Sequence, residues 1–247
     1  MKLPAVRGVI DRRILINYRV DPGALADVLP SPFEPKLAGG FGIGGICLIR
    51  LKHIRPQFIP FGIGIGSENA AHRIAVEWTD GGVRREGVYI PRRDTSSRLN
   101  ALAGGRIFPG THHHAAFEVD EEGGRYAVSF RSGDGAASVR VIGRVADDLP
   151  QSSLFGSVDA ASSFLKRGAL GYSATPEPGN YDGLELRCRK WHVEPLAVDE
   201  VASSFFDDRS RFPEGTVTFD CALLMRGIEH EWHGQPPLRG SAVTVPG

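Results

Sequence analysis

The sequence predicts a mainly β, α+β fold: a closed antiparallel β-barrel or cone with packed outer strands and a few short helices. Three observations carry this expectation. Alternating apolar and polar residues recur along the chain, turns rich in Gly and Asp separate several of these runs, and helix start and stop signals bracket only short stretches. Such a pattern suits a sheet closed on itself or two packed sheets.

The first strand reads from Arg13 to Val20, and Asp21-Pro22 then opens a helix through Leu29, with Asp as cap and Pro in the first turn. Pro30, Pro32 and Pro35 end it. Five glycines between Gly39 and Gly45 precede a second run, Ile46 to Ile54, too apolar for an exposed edge. Arg55 to Gly66, rich in Pro, Phe and Gly, reads as a loop able to cover a site. His72 to Trp78 and Gly87 to Ile90 are strand candidates. Hairpins then follow, with Ala115–Val119, Arg125–Arg131 and Ser138–Val145 separated by Glu121-Glu122-Gly123-Gly124 and Gly133-Asp134-Gly135. A helix is predicted from Val158 to Arg167, with Asp159 near its start and Gly168 after its end. Strands at Leu184–Val193 and Thr216–Met225 flank a short helix around Asp199 to Phe206. No repeat or linker divides the chain, so one domain over 1–247 is expected.

Acidic and basic side chains balance at 29 each, so no overall field recruits nucleic acid or an anionic membrane. A small anionic or keto-acid ligand suits the chain better. Five of the basic residues are lysines, Lys2, Lys36, Lys52, Lys166 and Lys190, and the other 24 are arginines. Cys47, Cys188 and Cys221 are far apart and form no CxxC pair, which fits buried thiols in a reducing cytoplasm. The N-terminus has no signal-peptide core, and no window holds the roughly 18 apolar residues a spanning helix needs. The expectation is a cytoplasmic protein with no membrane partner.

The chain has no P-loop, GxSxG or HExxH, and Gly62-Ile63-Gly64-Ile65-Gly66 lacks the strand and helix of a dinucleotide fold. No cofactor is expected. His112-His113-His114 offers at most two ligands to one face of a strand, with Glu118 on the face of His112 and His114. Hydrogen bonding, pocket lining and metal ligation are the alternatives, and no metal is expected because a site needs three or four convergent donors. Ser67 to Arg73 contains Glu68, which is either an acid or base raised in pKa by apolar walls or a solvated loop-end carboxylate. Arg84 to Asp94 places Arg92 and Arg93 just beyond Pro91. Two arginines there can hold a carboxylate bidentately or pair with Asp94 on the surface.

That stretch, together with the run Asn17 to Glu34, resembles the acetoacetate decarboxylase-like superfamily. Further similar stretches fall at Gly45–Arg50, Ser67–Arg73, Tyr172-Ser173, Ser203–Phe206 and His230–Trp232, so the resemblance covers nearly the whole chain. It is similar to a bacterial branch classed as a domain of unknown function. In the decarboxylases an Arg-Glu pair lies five residues before a proline that two lysines follow. Here Arg85-Glu86 and Pro91 keep the spacing, and Arg92-Arg93 stand at the lysine positions. The resemblance implies that the first lysine forms an imine with a β-keto acid. Arginine cannot take that role, because its guanidinium stays protonated and its nitrogens are poor nucleophiles.

By position the resemblance also brings in Glu68 and a pocket arginine, either Arg12 or Arg13. The implied site has Glu68 and Arg92 as catalytic residues, and Arg93, Arg12 and His72 as substrate-binding residues. Two functions remain open. One is a lyase or isomerase acting on a small carboxylate or keto acid without an imine: the arginines clamp the carboxylate and Glu68 moves a proton. The other is a non-catalytic barrel that sequesters or senses a small molecule. A third, weaker alternative is an imine on a displaced lysine, Lys52 or Lys190. The resemblance also implies a homo-oligomer.

Overall fold

The computed structural model describes residues 5–58, 64–103 and 109–240. The elements are β1 (Val6–Val20), α1 (Pro22–Asp27), β2 (Glu34–Pro35), β3 (Leu37–Ala38), β4 (Phe41–Pro56), β5 (Ile65–Asp80), β6 (Val83–Thr95) and α2 (Arg98–Ala103). They continue with β7 (His112–Glu122), β8 (Arg125–Ser132), β9 (Ser138–Val145), α3 (Val158–Arg167), β10 (Leu170–Ala174), β11 (Asn180–Cys188), β12 (Glu194–Ser203) and β13 (Val217–Arg239). The fold is mostly β, as the alternating pattern implies.

The long strands form the frame. β1 pairs antiparallel with β13 on one edge and β4 on the other, and β4, β5 and β6 follow in antiparallel order. The predicted hairpins β7–β8–β9 continue to β12 and back to β13, and further pairings join β5 to β6 and β11 to β13. The ladder is not wholly antiparallel. β6 shares its second edge between β10, parallel at Val88–Ile90, and β7, parallel at Arg93–Thr95. Parallel neighbours need a crossover rather than a tight turn, and the unpredicted helix α2 lies in the β6–β7 connection.

The predicted helix starts hold. Asp21 Oδ1 accepts from Ala24 N at 3.0 Å, and Ser157 caps α3, with Asp159 in its first turn and Lys166 and Arg167 in its last. The helix expected at Asp199–Phe206 is instead strand and turn. Glu200 to Ser203 pair with Ile142 to Val139 of β9 after a register shift between Val198 and Glu200, and the open edge of β9 outweighs a weak local helix preference. Residues 59–63 of the Arg55–Gly66 loop, including Gly62 and Ile63 of the Gly-Ile run, lie outside the described residues; β4 continues to Pro56 and β5 begins at Ile65.

Alternation divides the core in two. On one side Ile14, Ile16 and Tyr18 join Ile46, Leu48, Trp78, Phe206 and Phe212. On the other side Leu15 joins Cys47, Ile49, Leu223, Met225 and the α3 residues Phe164 and Leu165. Both faces of β1, β4 and β5 are therefore buried, and a polar residue on either face is taken out of water. Among the described residues no helix is long and apolar enough to cross a membrane.

Candidate functional site

A cavity of about 160 Å³ opens in the second core, between α3 and the odd-numbered faces of β1, β4 and β5. That is roughly ten times the ~10–15 Å³ one ordered water requires, so it has room for a small organic molecule. Its walls are largely apolar: Leu15, Ile49, Leu51, Ile90, Phe164, Leu165 and Trp191. Into this setting project Arg13, Arg73 and Arg93, with Ser67, Asn69, Asp94 and His112.

Among the described residues no carboxylate pairs with any of the three guanidiniums. Arg13 meets soft partners: its Nε donates to Cys47 Sγ at 3.1 Å and its guanidinium lies 6.0 Å from the Trp191 ring centroid. Arg73 donates to Asn17 Oδ1, while its Nε has no hydrogen-bond partner. It crosses Gly45, where a Cβ would sit 2.2 Å from Ile16 O and 3.1 Å from Arg73 Nη2, so only glycine fits beneath it. Arg93 Nε donates to Ser173 Oγ at 2.9 Å. Burial pushes Arg73 and Arg93 each down to about 10, still protonated at neutral pH. Buried cations without counter-charges are costly, and an anion is what would offset them.

Two further charges at the cavity are already matched. Lys36 pairs with Glu86 at 2.5 Å over the Phe164 ring, and Asp94 is taken by Arg92. His112 is held down to about 4 by burial and the adjacent Arg93 charge, so its ring is neutral at pH 7. Its Nδ1 lies 3.2 Å from Gly110 O, a geometry in which Nδ1 carries the proton and Nε2 is the basic nitrogen.

Of the residues expected from the sequence, Arg93 lines this cavity and the others face away from it. Arg92, which the resemblance puts at the imine position, donates to Asp94 Oδ1 at 2.8 Å and to Asp134 Oδ1 at 2.9 Å, tying β6 to the β8–β9 turn. Glu68 and Arg12 pair with each other on the opposite side of the sheet. Arg50 lies 3.6 Å from Glu68 and forms a two-pronged contact with Glu121 at 2.6 and 3.0 Å. Burial raises the Glu68 pKa against the pull of Arg12 and Arg50. His72 is fully buried beside Phe205, 5.0 Å between ring centroids, with Nε2 3.5 Å from Ser203 Oγ. The ambiguity between Arg12 and Arg13 resolves towards Arg13 for the cavity.

The histidine run diverges. His112 reaches the cavity, His113 Nδ1 lies 3.0 Å from Asp134, and His114 is exposed. Lys52 pairs with Asp11 at 2.9 Å and Lys190 is exposed, and neither lines the cavity. The sequence alone does not mark Arg73, Cys47 and Asn69 as site residues, although the in-phase series Asn69, Ala71, Arg73 is a readable signal, with polar residues at both ends of one face of β5.

The architecture is that of the acetoacetate decarboxylase-like fold. The chain is similar to acetoacetate decarboxylase from Legionella pneumophila, at 14% identity over 94% of this chain and 87% of that one, with a TM-score of 0.58. It is similar also to an acetoacetate decarboxylase-like enzyme from Sphingomonas wittichii RW1, at 11% identity over 95% and 91%, TM-score 0.59. A third is the enduracididine biosynthesis enzyme MppR complexed with pyruvate, at 13% identity over 95% and 91%, TM-score 0.59. No curated protein matches the sequence. Residues 10–219 match the model of the DUF2071 family, described as an uncharacterized conserved protein, and the chain belongs to that family.

Proposed function

We propose that this protein binds a small carboxylate or keto acid in the arginine-lined cavity and acts on it as a lyase or isomerase without a lysine imine. The observation that carries the reading is the convergence of Arg13, Arg73 and Arg93, none paired with a carboxylate among the described residues, on one largely apolar cavity. Guanidiniums bind carboxylates through paired, charge-assisted hydrogen bonds, and a low-dielectric wall strengthens them. The pyruvate complex of the similarly folded MppR supports a keto acid as the ligand. In this reading the neutral His112 ring takes up a proton next to the bound acid, and the arginines stabilise the enolate that forms. Glu68 and Arg92 serve instead as structural ions. We read the strand path that returns on itself as a closed barrel. A cytoplasmic homo-oligomer without nucleic-acid or membrane partners completes the proposal, carried by the balanced charge and the resemblance.

Calorimetric titration with pyruvate and acetoacetate tests the binding site. Saturable binding is expected, and Arg93→Gln should weaken it by about 10- to 100-fold, as loss of one charged hydrogen bond of ~1.5–3 kcal/mol implies. Absence of binding to a range of small acids would overturn the reading. Borohydride reduction in the presence of acetoacetate should leave the intact mass unchanged, since Lys36 is engaged by Glu86 and Lys52 by Asp11; a covalent adduct would refute the non-imine mechanism.

The non-catalytic reading has its own supporting observation: Asp94 is held by Arg92 and Glu68 faces away, so no free carboxylate base meets the cavity among the described residues. His112→Asn separates the two. Turnover lost with binding retained identifies the enzyme, whereas binding without turnover in the unsubstituted protein identifies a carrier or sensor.

A further inference from the structure

The cavity contains a nucleophile that the proposed proton chemistry does not use. Cys47 is 6% exposed, lies in the cavity wall between Ile46 and Leu48 of β4, and accepts the Arg13 Nε–H at 3.1 Å. Arg73 is 5% exposed, lines the same cavity, and its Nε lacks a hydrogen-bond partner. Arg93 lines the cavity as well, its Nε donating to Ser173 Oγ at 2.9 Å, so three guanidiniums and this thiol share one cavity. The other two thiols are placed differently. Cys221 is fully buried and receives Asn17 Nδ2 at 3.6 Å, and neither it nor Cys188 lines the cavity.

We infer that Cys47 is a covalent modification site for small electrophiles that carry a carboxylate, the guanidiniums holding the carboxylate while the adjacent sulfur attacks the electrophilic carbon. This rests on the carboxylate-site reading above. With an α-halo acid the thiol proton passes to solvent, a sulfur lone pair forms the S–C bond, and the halide leaves with the electrons of the broken C–halogen bond. With an α,β-unsaturated acid the S–C bond forms at the β carbon, the π electrons move to the α carbon, and that carbon takes up a proton. Selectivity comes from concentrating the anion beside the sulfur, an effect that cavities lined by one sign of charge exert on their counter-ions.

The test is parallel alkylation of the native protein by iodoacetate and by neutral iodoacetamide, resolved by peptide mass spectrometry at each cysteine and repeated on the urea-unfolded chain. The iodoacetate-to-iodoacetamide rate ratio at native Cys47 should exceed its unfolded value by about tenfold or more. Added pyruvate should slow the reaction, and Arg13→Gln should return the ratio towards the unfolded one. A native ratio equal to the unfolded ratio, or a Cys47 inert to both reagents, overturns the inference; the unsubstituted protein alone decides this, whether or not the variant folds. If Cys47 is inert while pyruvate still binds by calorimetry, only the thiol inference falls. If pyruvate neither binds nor protects, the carboxylate site falls with it.

Discussion

Lowering the pH from 6.5 to 5 is expected to cost the folded protein about 5 kcal/mol, a large share of the ~5–15 kcal/mol typical of a folded protein. The cause is three histidines held neutral by the fold. Burial brings His72 down to about 3, with the Arg92 and Arg211 charges adding to it. Burial brings His112 and His230 each to about 4, next to Arg93 and Arg13 respectively. Each lies well below the ordinary value of 6.5, so as pH falls through 6.5 the unfolded chain takes up protons that the folded one refuses. Stability therefore drops, by about 1–2 kcal/mol per histidine over this interval. The buried carboxylates act in the other direction. Glu68 and Asp94 have raised pKa values, so the folded form accepts their protons first and regains stability only as acid titrates carboxylates. Urea midpoints at pH 6.5 and 5 measure the effect, and His72→Leu should remove about one third of the slope. Equal midpoints would show that these rings carry protons in the folded state.

Those histidines show what a sequence conveys and what it withholds. The hairpins of β7, β8 and β9 were readable because Gly123-Gly124 and Gly133-Asp134-Gly135 state the turns outright, with positive φ at Gly123, Gly124 and Gly135. The helix at Val158–Arg167 was readable from its ends. At Asp199–Phe206 the deciding partner is the β9 edge, more than fifty residues away in sequence, and no local signal announces it.

The candidate site turned on one residue of register. Along β6, Val88 and Ile90 face the cavity, so plain alternation would bring Arg92 in next. The β5–β6 ladder pairs Ile74 with Tyr89 but His72 with Arg92, leaving Ile90 and Pro91 together opposite Arg73. That extra residue inverts the phase, turning Arg93 inward and Arg92 outward. Pro91 has no N–H to give to a ladder, which is why a bulge is tolerated there. The proline was visible in the sequence, whereas the bulge it permits belongs to the pairing. The same parity argument moves the N-terminal arginine from Arg12 to Arg13 and separates Glu68 from Asn69. Sequence similarity located the right strands and left the face undetermined.

Removing Arg12 is expected to destabilise the protein by about 3–5 kcal/mol, the usual cost of breaking a buried ion pair from one side. Arg12 is 1% exposed and joins β1 to β5 through Glu68 and to β7 through Glu121 at 3.4 Å. Arg12→Met leaves Glu68 with Arg50, at 3.6 Å, as its remaining cationic partner among the described residues, and Arg50 is itself committed to Glu121 and Asp11. The carboxylate must then be protonated or hydrated where water is largely excluded. Glu68→Leu should also be costly, since it leaves Arg12 leaning on Glu121 alone. The double variant should cost less than the sum of the two by about 2 kcal/mol or more, because it removes the desolvated charges together and fills their place with apolar atoms. Urea unfolding of the four proteins gives this coupling. Pyruvate affinity provides the decisive second readout: the cluster lies across the sheet from the cavity, so folded Arg12→Met should bind the acid as tightly as the unsubstituted protein. A variant that keeps its urea midpoint but loses pyruvate binding would return Arg12 and Glu68 to the ligand site and displace Arg13, Arg73 and Arg93 from it.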